Sequence, residues 1–515
     1  MGLLTLTSTN PAFSYLLRKN PARTRMMAKP LGKGTLFGWF DKRDASSNQT
    51  FLSYFRDGEN EVTFRETSDQ TFEYLSTLRY TSPRFVLAAC TLFFKDAMRG
   101  TLATKSELEA PTECMSFGSC SQVIVVGSPN DEVNQTPATS PVDERKSPLD
   151  SSSSSSSNTN DQNFPLGDDQ KKITFDAVDL YRHTLVVNLV HIVPRGVKFL
   201  DRCRKFLTAY KIDLELAQPE THVYTMRIET GHSLQHLLNT TFLLCAFFAS
   251  FNRHDNWAPD EPLCERLIGI MHTMDAPYYV RYRFVAQFLD RKTFPKMRAA
   301  LTEQPSKHYG SVEFHEGSTA DHRRDMIRDL LDFKRPILEI GCGEGFYTCS
   351  FAQRLRPLPF VAIDTDEDVL AKTRHRCITT KGLDNVSFHA SLDAFLAAGA
   401  GAVGSIEYSV LLSEVIEHVS QEDAASLIQT VLRDVRFREF IITTPNSDFN
   451  PLYLMDTPFR HDDHKFELGT VDFQAWANGL LAPFAGQVSW TFIPVGDVVD
   501  GIHCSHGLIV TTNKA

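Results

Sequence analysis

The residue pattern predicts an α/β protein whose C-terminal part, residues 321–515, is a doubly wound and mostly parallel sheet, preceded by an α+β accessory domain with a disordered insert. Three observations carry this expectation. From residue 321 onward short apolar runs alternate with stretches of helical period, the mark of repeated βαβ units. A glycine-rich turn, EIGCGEG at 339–345, stands where the first of those strands gives way to a helix. Residues 128–172 shift to Ser, Pro, Asn and Asp, with an unbroken serine run at 151–157, and such a segment buries too little apolar surface to offset chain entropy. The 515-residue length exceeds one ordinary core, and 42% hydrophobic against 23% charged residues is the balance of a chain that folds.

In the first half, residues 3–7, 35–40, 51–55 and 62–64 are short β-branched or aromatic runs that read as strands. Residues 84–98 read as a helix, with Phe85, Ala88, Ala89, Leu92 and Phe93 at helical spacing. After the insert come a strand at 185–192, helices at 197–207 and 234–251, and a helix opened by Pro259, Asp260, Glu261 and Pro262 that runs to Met271. The accessory domain is therefore expected over 1–127 and 173–306, split by the insert at 128–172 and joined to 321–515 by a linker at 307–320.

The apolar run 237–251 is interrupted by Asn239, Thr240 and Thr241 and is shorter than the roughly 20 residues of a membrane span, so a buried core helix and no membrane are expected. The 10 cysteines lack paired spacing; Cys90, Cys245, Cys264 and Cys377 read as small core residues, which points to a reducing compartment, with the cytoplasm favoured and nucleus or mitochondrion as alternatives. The first 40 residues hold no Asp or Glu but carry Arg18, Lys19, Arg23, Arg25, Lys29 and Lys33, a presequence-like composition. Against targeting stand the strand at 3–7 and the helix-breaking Pro30, Gly32, Gly34 and Gly38. A net charge of −10, from 53 basic and 63 acidic residues, gives no global nucleic-acid signature, so any RNA contact must be local.

In the second half the expected order is helix 321–333, strand 336–340, helix 346–355, strand 360–364, helix 369–381, strands 386–390 and 408–413, helix 422–433, strand 440–443, helix 471–480, and strands 488–493 and 507–511. Gly341, Gly343 and Gly345 let the backbone turn sharply and approach a ligand closely. Asp364 ends the next strand, nineteen positions beyond Gly345, where a carboxylate accepts hydrogen bonds from a ribose. A dinucleotide site prefers GxGxxG; here the third glycine comes one residue early and Glu344 would stand beside the phosphate, so a zwitterionic, phosphate-free ligand fits better.

The string SEVIEH at 413–418 follows an apolar strand. If it is helical, Glu414, Glu417 and His418 share one face at i, i+3 and i, i+4 spacing, beside the cofactor edge of the sheet. Unpaired carboxylates that close together call for a cation. The alternative is a solvated helix start, where acids favour the positive end of the dipole. The polar segment 460–467, RHDDHKFE, can return a histidine to the same edge, and hard carboxylate oxygens with imidazoles suit Mg²⁺ or Mn²⁺ more than zinc.

EIGCGEG, EVIEH, TPNSDFN and DHKFE, in this order over 321–515, resemble the 3′-terminal ribose 2′-O-methyltransferases that protect small RNAs in eukaryotes and act in RNA repair in bacteria. The resemblance implies a Rossmann-like class I methyltransferase domain. It implies S-adenosylmethionine bound by Glu339, Gly341, Gly343, Asp364 and Ser391, and Mg²⁺ or Mn²⁺ bound by Glu414, Glu417, His418 and His464, which carry the catalysis. His461 is then a loop histidine. The implied reaction methylates the 2′-hydroxyl of the 3′-terminal nucleotide of a small RNA or cleaved tRNA. Local basic residues such as Arg323, Arg324 and those of the acid-free first 40 positions are then expected to handle phosphate. The first half is similar to the accessory domain of the bacterial branch through LLTLT at 3–7, Asn10-Pro11, Tyr15-Leu16-Leu17 and Tyr80-Thr81-Ser82, which implies contact with an RNA-repair or small-RNA pathway protein. Leu468 departs from the family's aromatic after Glu467, and the serine-rich insert is a second departure. The rival expectations are a methyltransferase for a small molecule or protein, with no need of RNA or metal, and a noncatalytic RNA-end-binding scaffold.

Overall fold

The computed structural model describes residues 3–9, 26–31, 34–41, 49–57, 83–99, 181–218, 222–252, 259–303, 306–399 and 406–513. The expected strand at 62–64, the insert at 128–172, and the motifs at 10–11, 15–17 and 80–82 lie outside them.

The first half is built on a seven-stranded antiparallel sheet. Its strands are β1 (Leu3–Ser8), β2 (Met26–Leu31), β3 (Gly34–Asp41), β4 (Gln49–Asp57), β5 (His183–His191), β6 (Tyr210–Gln218) and β7 (Val223–Thr230), in the order β2-β3-β4-β1-β5-β7-β6. Strand β1 pairs with β4 on one side and β5 on the other, so segments on either side of 100–180 share one sheet. Along β5, Leu185, Val187 and Val190 turn inward. The helix Leu234–Phe251 lies against β5 and β7, capped by Ser233, whose hydroxyl accepts from the His236 amide. It is long and apolar enough for a membrane span by length, but 83% of it is buried within this layer. The expected helix at 84–98 breaks at Phe94 into Arg84–Phe93 and Lys95–Arg99, and that at 197–207 runs instead over Pro194–Cys203.

The second half forms an eight-stranded sheet from β8 (Val312–Glu313), β9 (Ile337–Ile340), β10 (Phe360–Ile363), β11 (Val386–His389), β12 (Tyr408–Ser413), β13 (Phe437–Pro445), β14 (Val488–Val499) and β15 (Ile502–Thr512). The order is β11-β10-β9-β12-β13-β15-β14-β8, parallel from β11 to β13 and antiparallel beyond. Both faces are covered, and the alternation is visible: Leu338, Ile340, Val410, Leu412, Phe440 and Ile442 pack into one layer, Ile337, Leu411 and Ile441 into the other. Residues 307–320, expected as a linker, contribute β8 to the edge of this sheet.

The chain passes from β9 outward through β10 and β11, then crosses back to β12 on the other side of β9. The carboxyl ends of β9 and β12 therefore flank the crevice where the strand order reverses, the place an open α/β sheet binds its ligand. The glycine turn follows β9 and Glu414 follows β12, which sets the two candidate constellations side by side.

Candidate active site

The glycine turn is braced on every side. The amides of Gly341 and Cys342 donate to the Ile363 carbonyl at 2.8 and 2.9 Å, the Gly343 amide donates to Asp364 Oδ2 at 2.7 Å, and Thr373 Oγ1 donates to the Gly343 carbonyl at 2.7 Å. Gly341, Gly343 and Gly345 have φ of +76°, +51° and +77°. At Gly341 a Cβ would overlap Val415 Cγ2, so the turn lies directly against the segment after β12. Asp364 Oδ1 accepts from the Asp366 amide at 3.0 Å, so each oxygen holds one bond and the carboxylate keeps acceptor capacity for two hydroxyls. The Ser391 hydroxyl caps the helix Leu392–Ala398, accepting from the Ala394 amide at 3.0 Å, which leaves its own proton to donate.

Glu339 is 2% exposed, and burial, only partly relieved by the Thr348 hydroxyl, pushes its carboxyl up to about 8. Its Oε2 accepts from Thr348, while Oε1 is buried with no hydrogen-bond partner among the described residues. A buried acceptor left open is costly in isolation and is a place for a cationic donor such as an ammonium group.

After β12 the structure corrects the expected helix. The Glu414 amide donates to the Thr443 carbonyl at 2.8 Å, prolonging the ladder with β13 one residue past Ser413. The chain then turns through Glu414 at φ +57°, and only Ile416–His418 close a 3₁₀ turn. Glu414, Glu417 and His418 thus do not share a helix face. Glu417, His418 and His464 come together, with one potential ligand atom of each within 4.8 Å of the others. Glu414 stands apart: its Oε2 meets Arg323 Nη1 at 2.9 Å, and its Oε1 is buried without a partner among the described residues.

Glu417 is 1% exposed and accepts at Oε2 from Thr444 Oγ1 at 3.0 Å. Burial first, and the Glu414 charge second, hold its carboxyl well above the usual carboxylate range. Burial also lowers the His418 imidazole, against the opposing pull of Asp463, whose Oδ2 lies 3.0 Å from Nδ1. The loop carrying His464 is tied to this turn by the Lys465 amide, which donates to the Glu417 carbonyl at 2.7 Å. His461 is exposed, with its ring centroid 5.3 Å from that of His464.

Arg323 is a second correction. It is half-buried and engaged by Glu414 and by Tyr347, whose Oη accepts from Nε at 3.0 Å, rather than left free for phosphate. Burial is the largest single influence and would lower its pKa, but Glu414, Tyr347 and Glu417 together outweigh it and hold the guanidinium above ordinary arginine. Arg324 pairs with Asp321 at 3.2 Å and Asp325 at 3.5 Å. Sequence reasoning missed the chain Arg323–Tyr347–Ser413–Thr443, linked by side-chain bonds of 3.0, 3.1 and 2.8 Å, which no spacing rule announces.

The donor set fits a hard divalent cation: a buried carboxylate and two imidazoles converge, and a second carboxylate with an unpartnered oxygen stands next along the chain.

A family model described as the Hen1 N-terminal domain matches residues 3–127 and 156–306, more than half of the chain, and the gap falls in the serine-rich stretch. A methyltransferase-domain model matches residues 337–436. The chain is 27% identical over 215 residues to a small RNA 2′-O-methyltransferase of Xenopus tropicalis, covering 39% of this chain and 57% of that protein. It is 36% identical over 179 residues to the one of Gallus gallus, covering 33% and 46%. The chain thus spans about half the length of these relatives. Among solved structures, a Pnkp1/Rnl/Hen1 RNA repair complex contains a chain that aligns over 99% of this one and 100% of its own length, with TM-score 0.62 and 20% identity, a likeness of fold. With its N-terminal half matched on both sides of that gap and a methyltransferase domain behind it, the chain belongs to the Hen1 family.

Proposed function

We propose that this chain transfers a methyl group from S-adenosylmethionine to the 2′-oxygen of the 3′-terminal nucleotide of an RNA, assisted by Mg²⁺ or Mn²⁺. The observation that carries the reading is the convergence of Glu417, His418 and His464 after the end of β12, beginning two residues beyond the Val415 side chain that packs on the cofactor turn at Gly341. Generic methyl transfer needs no such cluster. The printed names of the relatives, small RNA 2′-O-methyltransferases, support the same chemistry.

Glu339 and Asp364 suit the two ends of the methyl donor: a buried carboxyl with an open oxygen, which the ammonium group would favour in its ionised form, and a carboxylate with spare acceptor capacity for the ribose. Glu417, His418 and His464, with Glu414 through its unpartnered oxygen, would hold the cation. When bound, such an ion lowers the pKa of a ribose hydroxyl and so makes a weak acid nucleophilic near neutral pH. As a cation ligand His418 would have one ring nitrogen occupied, and its Nδ1 already faces Asp463, so it has no open nitrogen with which to take the ribose proton. The RNA-repair complex of the structural neighbour and the family match over the first half support a protein partner there, in an RNA-repair or small-RNA pathway. The cytoplasm is the proposed compartment, on the cysteine usage.

The test is methyl transfer to matched RNAs ending in 2′,3′-hydroxyls, a 3′-phosphate or a 2′-deoxynucleotide, with and without chelator. Transfer to the first RNA alone, lost in chelator, is expected. Equal transfer to all three, or full activity in chelator, would refute the RNA-end or the metal reading respectively.

A further inference from the structure

The loop that presents His464 ends in a carboxylate with no part in the cluster itself. Glu467 Oε1 lies 2.6 Å from His464 Nδ1, and both side chains are sealed, at 0% and 3% exposure. Two further donors converge on Glu467: the Arg460 amide reaches Oε1 at 2.7 Å and Asn450 Nδ2 reaches Oε2 at 2.6 Å. Arg460 is itself fixed, with Nε donating to Asn450 Oδ1 at 2.8 Å and Nη2 to the Asn446 carbonyl at 3.0 Å. Glu467 is thus an acceptor held from three directions. A neutral imidazole has one donor and one acceptor nitrogen, so facing this acceptor Nδ1 must carry the proton and Nε2 the lone pair.

We infer that Glu467 is a positioning residue that fixes the tautomer and ring orientation of His464, so that Nε2 is offered to the cation; this rests on the metal reading above. His418 provides an internal contrast. Its Nδ1 also faces a carboxylate, Asp463, at 3.0 Å, but those side chains are 40% and 70% exposed, and solvent screens and loosens the pair. Control of ring orientation therefore belongs to the buried pair and not to the exposed one. The glutamate sits three positions after His464, a spacing visible in the sequence but without meaning until the loop folds back on Asn450.

The full-length protein and its Glu467→Gln and Asp463→Asn variants are titrated with Mn²⁺ by electron paramagnetic resonance, with S-adenosylmethionine affinity and thermal melting measured alongside. Gln offers one acceptor oxygen and one donor in place of two acceptor oxygens and a charge, so it cannot accept from all three of the donors on Glu467 and holds the ring less firmly. Glu467→Gln is expected to weaken Mn²⁺ binding about 10- to 100-fold with cofactor affinity kept, and Asp463→Asn to change it less than about twofold. Wild-type Mn²⁺ affinity in Glu467→Gln, or an equal loss in Asp463→Asn, would overturn the inference alone. Absence of Mn²⁺ binding in the wild type would overturn it together with the metal reading. Should Glu467→Gln not fold, ¹⁵N spectra of histidine-labelled, metal-free wild type decide: His464 protonated at Nδ1 supports the inference, and protonation at Nε2 overturns it.

Discussion

Replacing Gly341 by Ala tests the packing of the cofactor turn on the segment that carries Glu414 and Glu417. Two effects add. The residue sits at φ +76°, where a Cβ costs about 1–2 kcal/mol in backbone strain. The new methyl would also overlap Val415 Cγ2 and lie 3.2 Å from Cγ1, an overpacking worth about 1–3 kcal/mol. Gly343→Ala isolates the first effect, because its φ is +51° and nothing lies within 4 Å of the Cβ. Gly341→Ala is therefore expected to destabilise the second sheet by about 2–5 kcal/mol and Gly343→Ala by about 1–2 kcal/mol. Urea unfolding followed by the fluorescence of Trp476 and Trp490, which pack in that layer, measures both. The decisive comparison is a double-mutant cycle with Val415→Ala, which removes both Cγ atoms. A favourable coupling of about 1–3 kcal/mol is expected, and additivity within about 0.5 kcal/mol would refute the contact. Since Val415 lies between Glu414 and the 3₁₀ turn, Gly341→Ala should also lower methyl transfer by about 100-fold, the effect of a displacement near 1 Å at a reacting centre.

Two further outcomes follow from the charges. Arg323→Ala strips Glu414 of its guanidinium at 2.9 Å, a loss of about 1–3 kcal/mol for a broken, half-buried pair, and Mn²⁺ should raise the melting temperature of this variant more than that of the wild type; an equal increment in both would refute the shared compensation. Glu339 is raised from 4.5 to about 8, so the native state binds more protons than the unfolded chain between those values; cofactor-free wild type should lose stability as pH rises from 4.5 to 8, by up to about 5 kcal/mol, and hold steady above. Glu339→Gln lacks this loss, so a melting-temperature difference between the two that does not change with pH would contradict the assignment.

The parallel strands were legible because each is a short apolar run closed by a turn signal, and β9, β10 and β12 fall where the pattern puts them. The first half was harder. Tyr278–Phe288, rich in Tyr, Phe and Val, carries strand propensity yet forms a helix, because tertiary packing of Tyr278, Val280 and Phe284 outweighs propensity. Strand β6 had a readable alternation in Ile212, Leu214 and Leu216 that the expected elements did not include. At the site, the residue types in EVIEH and DHKFE could be read, but not their geometry. A left-handed Glu414 is the product of the β12–β13 ladder running one residue too far for a helix to start. No local pattern specifies that, nor the half-buried Arg323 that answers it from a helix ninety residues earlier.

The two halves are not independent modules joined by a tether, and the reason lies in the loop that holds His464. The turn Ser447–Tyr453 leaves the end of β13 and drives Phe449 and Tyr453 into the aromatic core of the first half, where Tyr278 meets them edge-on at 5.0 and 5.9 Å. Tyr278 also stacks on Phe314, at 5.9 Å and 4° between planes, and donates to Asp497 at 2.8 Å from a fully buried hydroxyl. Asn450, whose amide reaches Glu467, lies on that same turn. The position of His464 is therefore set from two directions: by the Glu417 carbonyl on the sheet side, and by a turn packed on the accessory core on the other. A surface pair such as Lys205–Asp456, at 2.6 Å but largely exposed, adds little to this; the buried aromatic cluster supplies the rigidity. The loop that carries His464 thus takes part of its support from a turn of the second half seated in the core of the first.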